Sequence, residues 1–149
     1  MRLNKATWCA LYAVLDLARD SERQVSAIEI ADRYGVSANH LAKVLRDLGR
    51  GGLVESVRGA GGGYRFAGNV KRTTLYDVVN LFEDIVADDG GRAAPGAETD
   101  IGKALVRVLT EIDEIAVATL KSVSLATLIK TMPGPEERKP DETQAASAD

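Results

Sequence analysis

The chain has 149 residues, 45% of them apolar, with one cysteine, one histidine and a formal net charge of −3. This suits one globular domain, or one domain with an appendage, and no apolar run approaches the roughly 20 residues of a membrane span. A single cysteine excludes an intrachain disulfide framework and any all-cysteine metal site within one chain. With one histidine and no nucleophile–base set, the sequence also offers no enzyme active site.

The net charge hides an asymmetry. Residues 1–72 hold twelve Lys/Arg against seven Asp/Glu, a net of +5, whereas residues 73–149 hold seven against fifteen, a net of −8. Such a division suggests that the first half meets a polyanion and the second does something else. The opening stretch, MRLNKATWCALYAVLDLARD, has the basic start and apolar run of a signal peptide. Asp16, Arg19 and Asp20 interrupt the run and no small-residue cleavage site follows, so an amphipathic first helix over 5–19 is expected, in a cytoplasmic protein. Trp8, Cys9, Leu11, Tyr12, Val14, Leu15 and Leu17 spread around that helix. Apolar residues on all sides predict burial on more than one side, against the domain and against a second element or subunit.

A polar loop, 20–25, leads to Ser26, which is placed to cap a helix, with Glu29 completing a capping box. Ala27, Ile30, Ala31 and Tyr34 form this helix's inner stripe; Gly35 ends it and Ser37 caps the next. Leu41, Val44, Leu45 and Leu48 then mark one buried stripe, while Asn39, His40, Lys43, Arg46 and Arg50 are expected on the other face. Two helices so closely joined must cross sharply, and the second carries donors and cations suited to a DNA major groove. By themselves they also fit a generic helical corner.

Residues 53–57 and 64–66 read as the strands of a hairpin around Arg58, Gly59, Gly61, Gly62 and Gly63, with Tyr64 on the return strand. A glycine-dense tip brings backbone close to a phosphate chain or minor groove, and Ser37, Arg58, Gly59, Gly61, Gly62, Gly63 and Tyr64 join the outward residues of the second helix as expected DNA contacts. A dinucleotide loop is excluded, because the sixth position counted from Gly59 is Tyr64 and no helix opens after it. The fold class expected is mainly α with a small β-hairpin wing: a winged helix-turn-helix followed by a long C-terminal dimerisation helix. Thr73 or Thr74 caps a helix with Leu75, Val78, Val79, Phe82 and Val86 on one face, and 88–100 is expected to be an exposed loop. From Asp100 a helix follows whose Ile101, Leu105, Val108, Ile112, Ile115 and Thr119 alternate in steps of four and three. Such a seam fits pairing with a second chain; a long helix packed on its own domain is the plainer alternative. Ser124 caps a brief closing helix, and from Pro133 onward the composition is that of a disordered tail. The domain division expected is 1–72 for DNA binding, 73–132 for dimerisation and sensing, and 133–149 for the tail.

The opening MRL, the helix pair, and above all GLVESVRGAGGGYRF followed by a TLYDVV helix resemble the Rrf2 family of bacterial transcription regulators. The resemblance covers about residues 1–130. It implies a homodimer reading a pseudo-palindromic operator, with recognition helix 38–49, a minor-groove arginine at Arg58, and a long helix that exchanges contacts between subunits. It also implies an iron–sulfur cluster held by three cysteines in the loop before that helix. Here residues 88–100 contain neither cysteine nor histidine, and the first helix offers Trp8 where some members add a ligand. The usual cluster site is absent, and no cofactor is expected. An atypical site using Cys9 with Asp88, Asp89 or Glu98, or a thiol redox sensor at Cys9, is the alternative to a small buried cysteine. His40 is expected as a phosphate or base contact rather than a metal ligand. The function expected is a DNA-binding repressor, with effector unknown; the rival is a module that has kept the fold and regulates a partner protein such as a metabolic enzyme.

Overall fold

The structure, a computed structural model, describes residues 2–85 and 94–134. The chain runs α1 (Lys5–Arg19), α2 (Ala27–Tyr34), α3 (Ala38–Arg50), β1 (Val54–Val57), β2 (Gly63–Phe66), α4 (Leu75–Val79), α5 (Asp100–Ser122) and α6 (Leu125–Lys130). The mainly helical fold with one small antiparallel hairpin is the fold expected.

Side-chain caps fix the starts of all six helices among the described residues. Asn4, Ser26, Ser37, Thr74, Thr99 and Ser124 each accept a hydrogen bond from a backbone N–H in the first turn of the helix that follows. At Ser26 only half of the expected capping box forms. Its hydroxyl accepts from the Glu29 N–H, but the Glu29 carboxylate accepts from Arg23 and Arg33 instead, each at 2.8 Å. Charge-assisted bonds to two guanidiniums outcompete a bond to one neutral amide. Gly35 closes α2 in the left-handed conformation, φ 62°, and returns its N–H to Ala31 and Asp32.

The core is shared by both halves of the sequence. Val14 and Leu17 of α1, Ile30 of α2, Leu41, Val44, Leu45 and Leu48 of α3, and Phe66 of β2 are buried together with Val78, Val79 and Leu125. Backbone bonds from Leu75 to Val123, from Leu125 to Thr73 and from Ala126 to Val70 stitch the closing segment onto the start of α4 and the chain before it. The hairpin pairs Val54 with Phe66, Glu55 with Arg65, Ser56 with Tyr64 and Val57 with Gly63. It gains a third participant from the loop before α2: Val25 and Tyr64 exchange backbone bonds of 2.9 and 2.8 Å.

The helix after Thr74 is shorter than its apolar spacing predicts. Its capping box, with Asp77 as the partner, is complete, but it ends at Val79, and Val86 lies outside the described residues. The cause is tertiary. The Phe82 carbonyl accepts from the Asn4 side chain at 3.1 Å, and the Glu83 carboxylate accepts from the Asn4 N–H at 2.7 Å and the Thr7 hydroxyl at 2.6 Å. Those bonds hold the chain at the N-terminus of α1, and Leu81 and Phe82 make tighter turns to Val78 and Val79.

Candidate nucleic-acid interface

The buried stripe of α3 anchors it to α1 and α2, which leaves one face outward. Asn39, Lys43, Arg46 and Arg50 fall four, three and four residues apart on that face, and all are exposed, as is Ser37 at the helix start. Arg50 lies 3.6 Å from Asp47, whereas Lys43 and Arg46 form no ion pair among the described residues. Cations that have no acid to satisfy them at a surface are free to meet phosphate. His40 departs from the expectation. It lies at the edge of the stripe, half-buried, with its Nε2 enclosed and without a hydrogen-bond partner. One helical position beyond Asn39 turns a side chain toward Val44, away from the outward face.

The hairpin places Arg58 at its tip, exposed and without an ion pair among the described residues, while Glu55 and Arg65 pair across the strands. Its glycines divide by cause. Gly59 and Gly61 have φ of 109° and 74°, with open space where a Cβ would stand, so backbone is presented outward there. A Cβ on Gly63 would stand 2.5 Å from the Val25 carbonyl oxygen, and one on Gly62 would stand 2.4 Å from that of Val57. Those two glycines serve the approach of protein to protein. Tyr64 has a supporting place too, half-buried against the core with its backbone bonded to Val25. The bridging role of Val25 was missed in the sequence; a lone valine between Gln24 and Ser26 carries no strand pattern.

Two apolar surfaces face outward. On α5, none of whose residues is buried, Ile101, Leu105, Val108, Ile112 and Ile115 are 55–76% exposed, and Leu109 flanks them at 48%. The half-buried positions are Gly102, Val106, Thr110, Asp113, Ala116, Val117 and Leu120, so the helix turns its less apolar side toward its own body. On α1, Trp8 and Tyr12 are 49% and 41% exposed. Their rings lie 5.8 Å apart, and Tyr12 stacks at 5.0 Å on Tyr34 of α2. The all-round apolar character of α1 thus resolves into an inner side packed on the core and an outer aromatic ladder.

Cys9 is on the inner side, 3% exposed, where burial pushes its thiol up against the opposing pull of Lys5. Among the described residues no cluster of three or more His, Cys, Asp or Glu is placed to hold a metal. Asp88 and Asp89 lie outside the described residues. A single buried thiol held in its neutral form does not fit a cluster that needs several thiolates.

A cationic recognition helix after a tight turn, followed by a glycine-tipped hairpin, defines a winged helix-turn-helix DNA-binding protein of the transcription-regulator class. The sequence model of Rrf2, described as an iron-dependent transcriptional regulator, matches residues 3–131, and the chain belongs to that family. It is 58% identical over 132 residues to a protein of Rhodopseudomonas palustris named as the HTH-type transcriptional regulator BadM, covering 89% of this chain and 83% of that one. It is 32% identical over 134 residues to the HTH-type transcriptional regulator IscR of Xenorhabdus nematophila, covering 87% and 80%. Among solved structures, IscR of T. potens superposes with a TM-score of 0.70 at 26% identity, covering 91% of this chain and 95% of that one. The oxidized form of Staphylococcus aureus CymR, at 21% identity, shares the fold with a TM-score of 0.73 over 90% and 100% of the two chains. The family and both sequence relatives carry the names of transcriptional regulators, not of enzymes. No helix among the described residues is long and apolar enough to cross a membrane.

Proposed function

We propose that the protein is a cytoplasmic homodimer that represses transcription by occupying a pseudo-palindromic operator, and that it does so without an iron–sulfur cluster. In each subunit α3 enters the major groove and the tip at Arg58 reaches the adjacent minor groove. The observation that carries the reading is the outward face of α3, where Lys43 and Arg46 have no acidic partner among the described residues. Pairing through α5 is supported by the apolar stripe that this helix leaves uncovered along its length of about 35 Å. A symmetric pair of recognition helices calls for two half-sites on one face of the duplex. The cluster-free reading rests on the one buried thiol and on the lack of cysteine and histidine in 88–100.

The test is a gel-shift titration on operator DNA over a series of salt concentrations, with sedimentation of the free protein alongside. Each phosphate neutralised should add about 0.9 to the slope of log affinity against log salt. A slope near zero would turn the reading toward a protein partner. Transcription in vitro from the bound promoter separates repression from activation, and metal analysis of protein purified without oxygen tests for a cluster.

A further inference from the structure

The outward face of α3 carries one side chain unlike the rest. Asn39 is the only amide on α3, it is exposed, and its side chain has no hydrogen-bond partner among the described residues. The remaining outward groups are the cations Lys43, Arg46 and Arg50, and Asp47, which lies 3.6 Å from Arg50. The Ser37 hydroxyl is engaged with the His40 N–H, and the His40 ring is turned inward.

We propose that Asn39 is a specificity-determining residue that places an adenine in each operator half-site. The proposal rests on the DNA-binding reading above. A carboxamide presents a donor and an acceptor in one plane, and adenine presents the matching N6–H donor and N7 acceptor in the major groove. Lysine and arginine offer donors only, and a carboxylate at Asp47 is repelled by the phosphates on either side. Position agrees with chemistry. Asn39 is the second residue of α3, and recognition helices meet base edges with their N-terminal residues. From Asn39 to Arg50 the helix advances about 16 Å, more than the roughly 12 Å width of the groove. With Asn39 at the groove floor, Arg50 therefore stands at the phosphate wall. The flanking Ala38 and the half-buried Ala42 keep bulk away from the amide. Asn39 selects its adenine; Arg50, at the phosphate wall, holds whatever sequence is offered.

The experiment is selection from a randomised duplex library by the full-length protein and by Asn39→Ala, followed by salt titrations on the selected site. Alanine at an exposed helical position leaves the fold intact. The wild type should enrich one adenine per half-site. Asn39→Ala should lose preference at that position by about 5- to 150-fold, with an unchanged salt slope. A variant that enriches the same adenine, or that weakens on all sequences alike with a shallower slope, overturns the proposal while DNA binding stands. A wild type that enriches no sequence and shows no salt slope overturns both, and the wild-type arm alone reveals it.

Discussion

Replacing Leu105 and Ile112 by alanine, and then by aspartate, tests what the α5 stripe is for. Both side chains are more than half exposed in the isolated chain, at 60% and 55%, and neither contributes to the buried core. Fully burying a leucine or isoleucine stabilises by about 1.5–3 kcal/mol, so covering the exposed half of each is worth about 1 kcal/mol. In the proposed dimer both positions occur twice, so the double alanine variant should weaken pairing by about 4 kcal/mol, roughly a thousandfold in Kd. Aspartate at the same positions adds unpaired carboxylates in a dry seam and should abolish the dimer at micromolar concentration. Sedimentation velocity reads the outcome. Circular dichroism should still report a helical fold, since the core shared by α1 to α4, β2 and Leu125 of α6 includes neither side chain. A double aspartate variant that remains a folded dimer would show that the stripe packs within its own subunit and that the pairing surface lies elsewhere.

Arg58→Ala should cost about 1–3 kcal/mol of operator affinity and lower the salt slope by about 0.9, with thermal stability moving by no more than about 0.5 kcal/mol; unchanged gel-shift affinity would remove the hairpin tip from the interface. The hydrogen bond from Thr7, reinforced by the Asn4 N–H, holds the Glu83 carboxyl below its ordinary value. Its contribution to stability is therefore present above the unfolded-state value and lost as pH falls through the lower folded one, so Glu83→Gln should flatten the acid limb of a melting-temperature profile; identical profiles would refute the clamp. Cys9→Ala should cost about 1–2 kcal/mol of stability by emptying a core position, while DNA binding by both proteins stays insensitive to mild peroxide and to iron. A response in the wild type that the variant lacks would make Cys9 part of the switch.

The helix-turn-helix was legible because local and tertiary signals agree there: Gly35 and Ser37 mark the turn, and the stripe from Leu41 to Leu48 is the buried face. The hairpin was legible in its strands, less so in its glycines. A run of glycines reads as one feature, yet two of the four face outward and two make room for Val57 and Val25. Where long-range bonds decide, sequence periodicity misled. Leu75, Val79, Phe82 and Val86 have helical spacing, but α4 gives way to turns after Val79, where Asn4 and Thr7, more than seventy residues away, hold Phe82 and Glu83. Glu29 at the third position after Ser26 suggested a reciprocal cap, and Arg23 and Arg33 took its carboxylate. His40 shows the limit of a two-face division, since a residue at the boundary falls inward or outward by details of packing.

The bridge between Val25 and Tyr64 changes what kind of reading head the hairpin is. A two-stranded hairpin alone in water is marginal and samples many attitudes. This one is fastened along its return strand to the chain entering α2, two residues before the unit that carries the recognition helix begins. Its ordering entropy is therefore borne during folding and not when DNA arrives. Helix and tip then behave as the two jaws of a fixed calliper. In the proposed docking such a tool would measure the distance from major-groove floor to minor-groove edge, so duplexes whose natural groove width already matches the setting should be favoured even at positions no side chain touches.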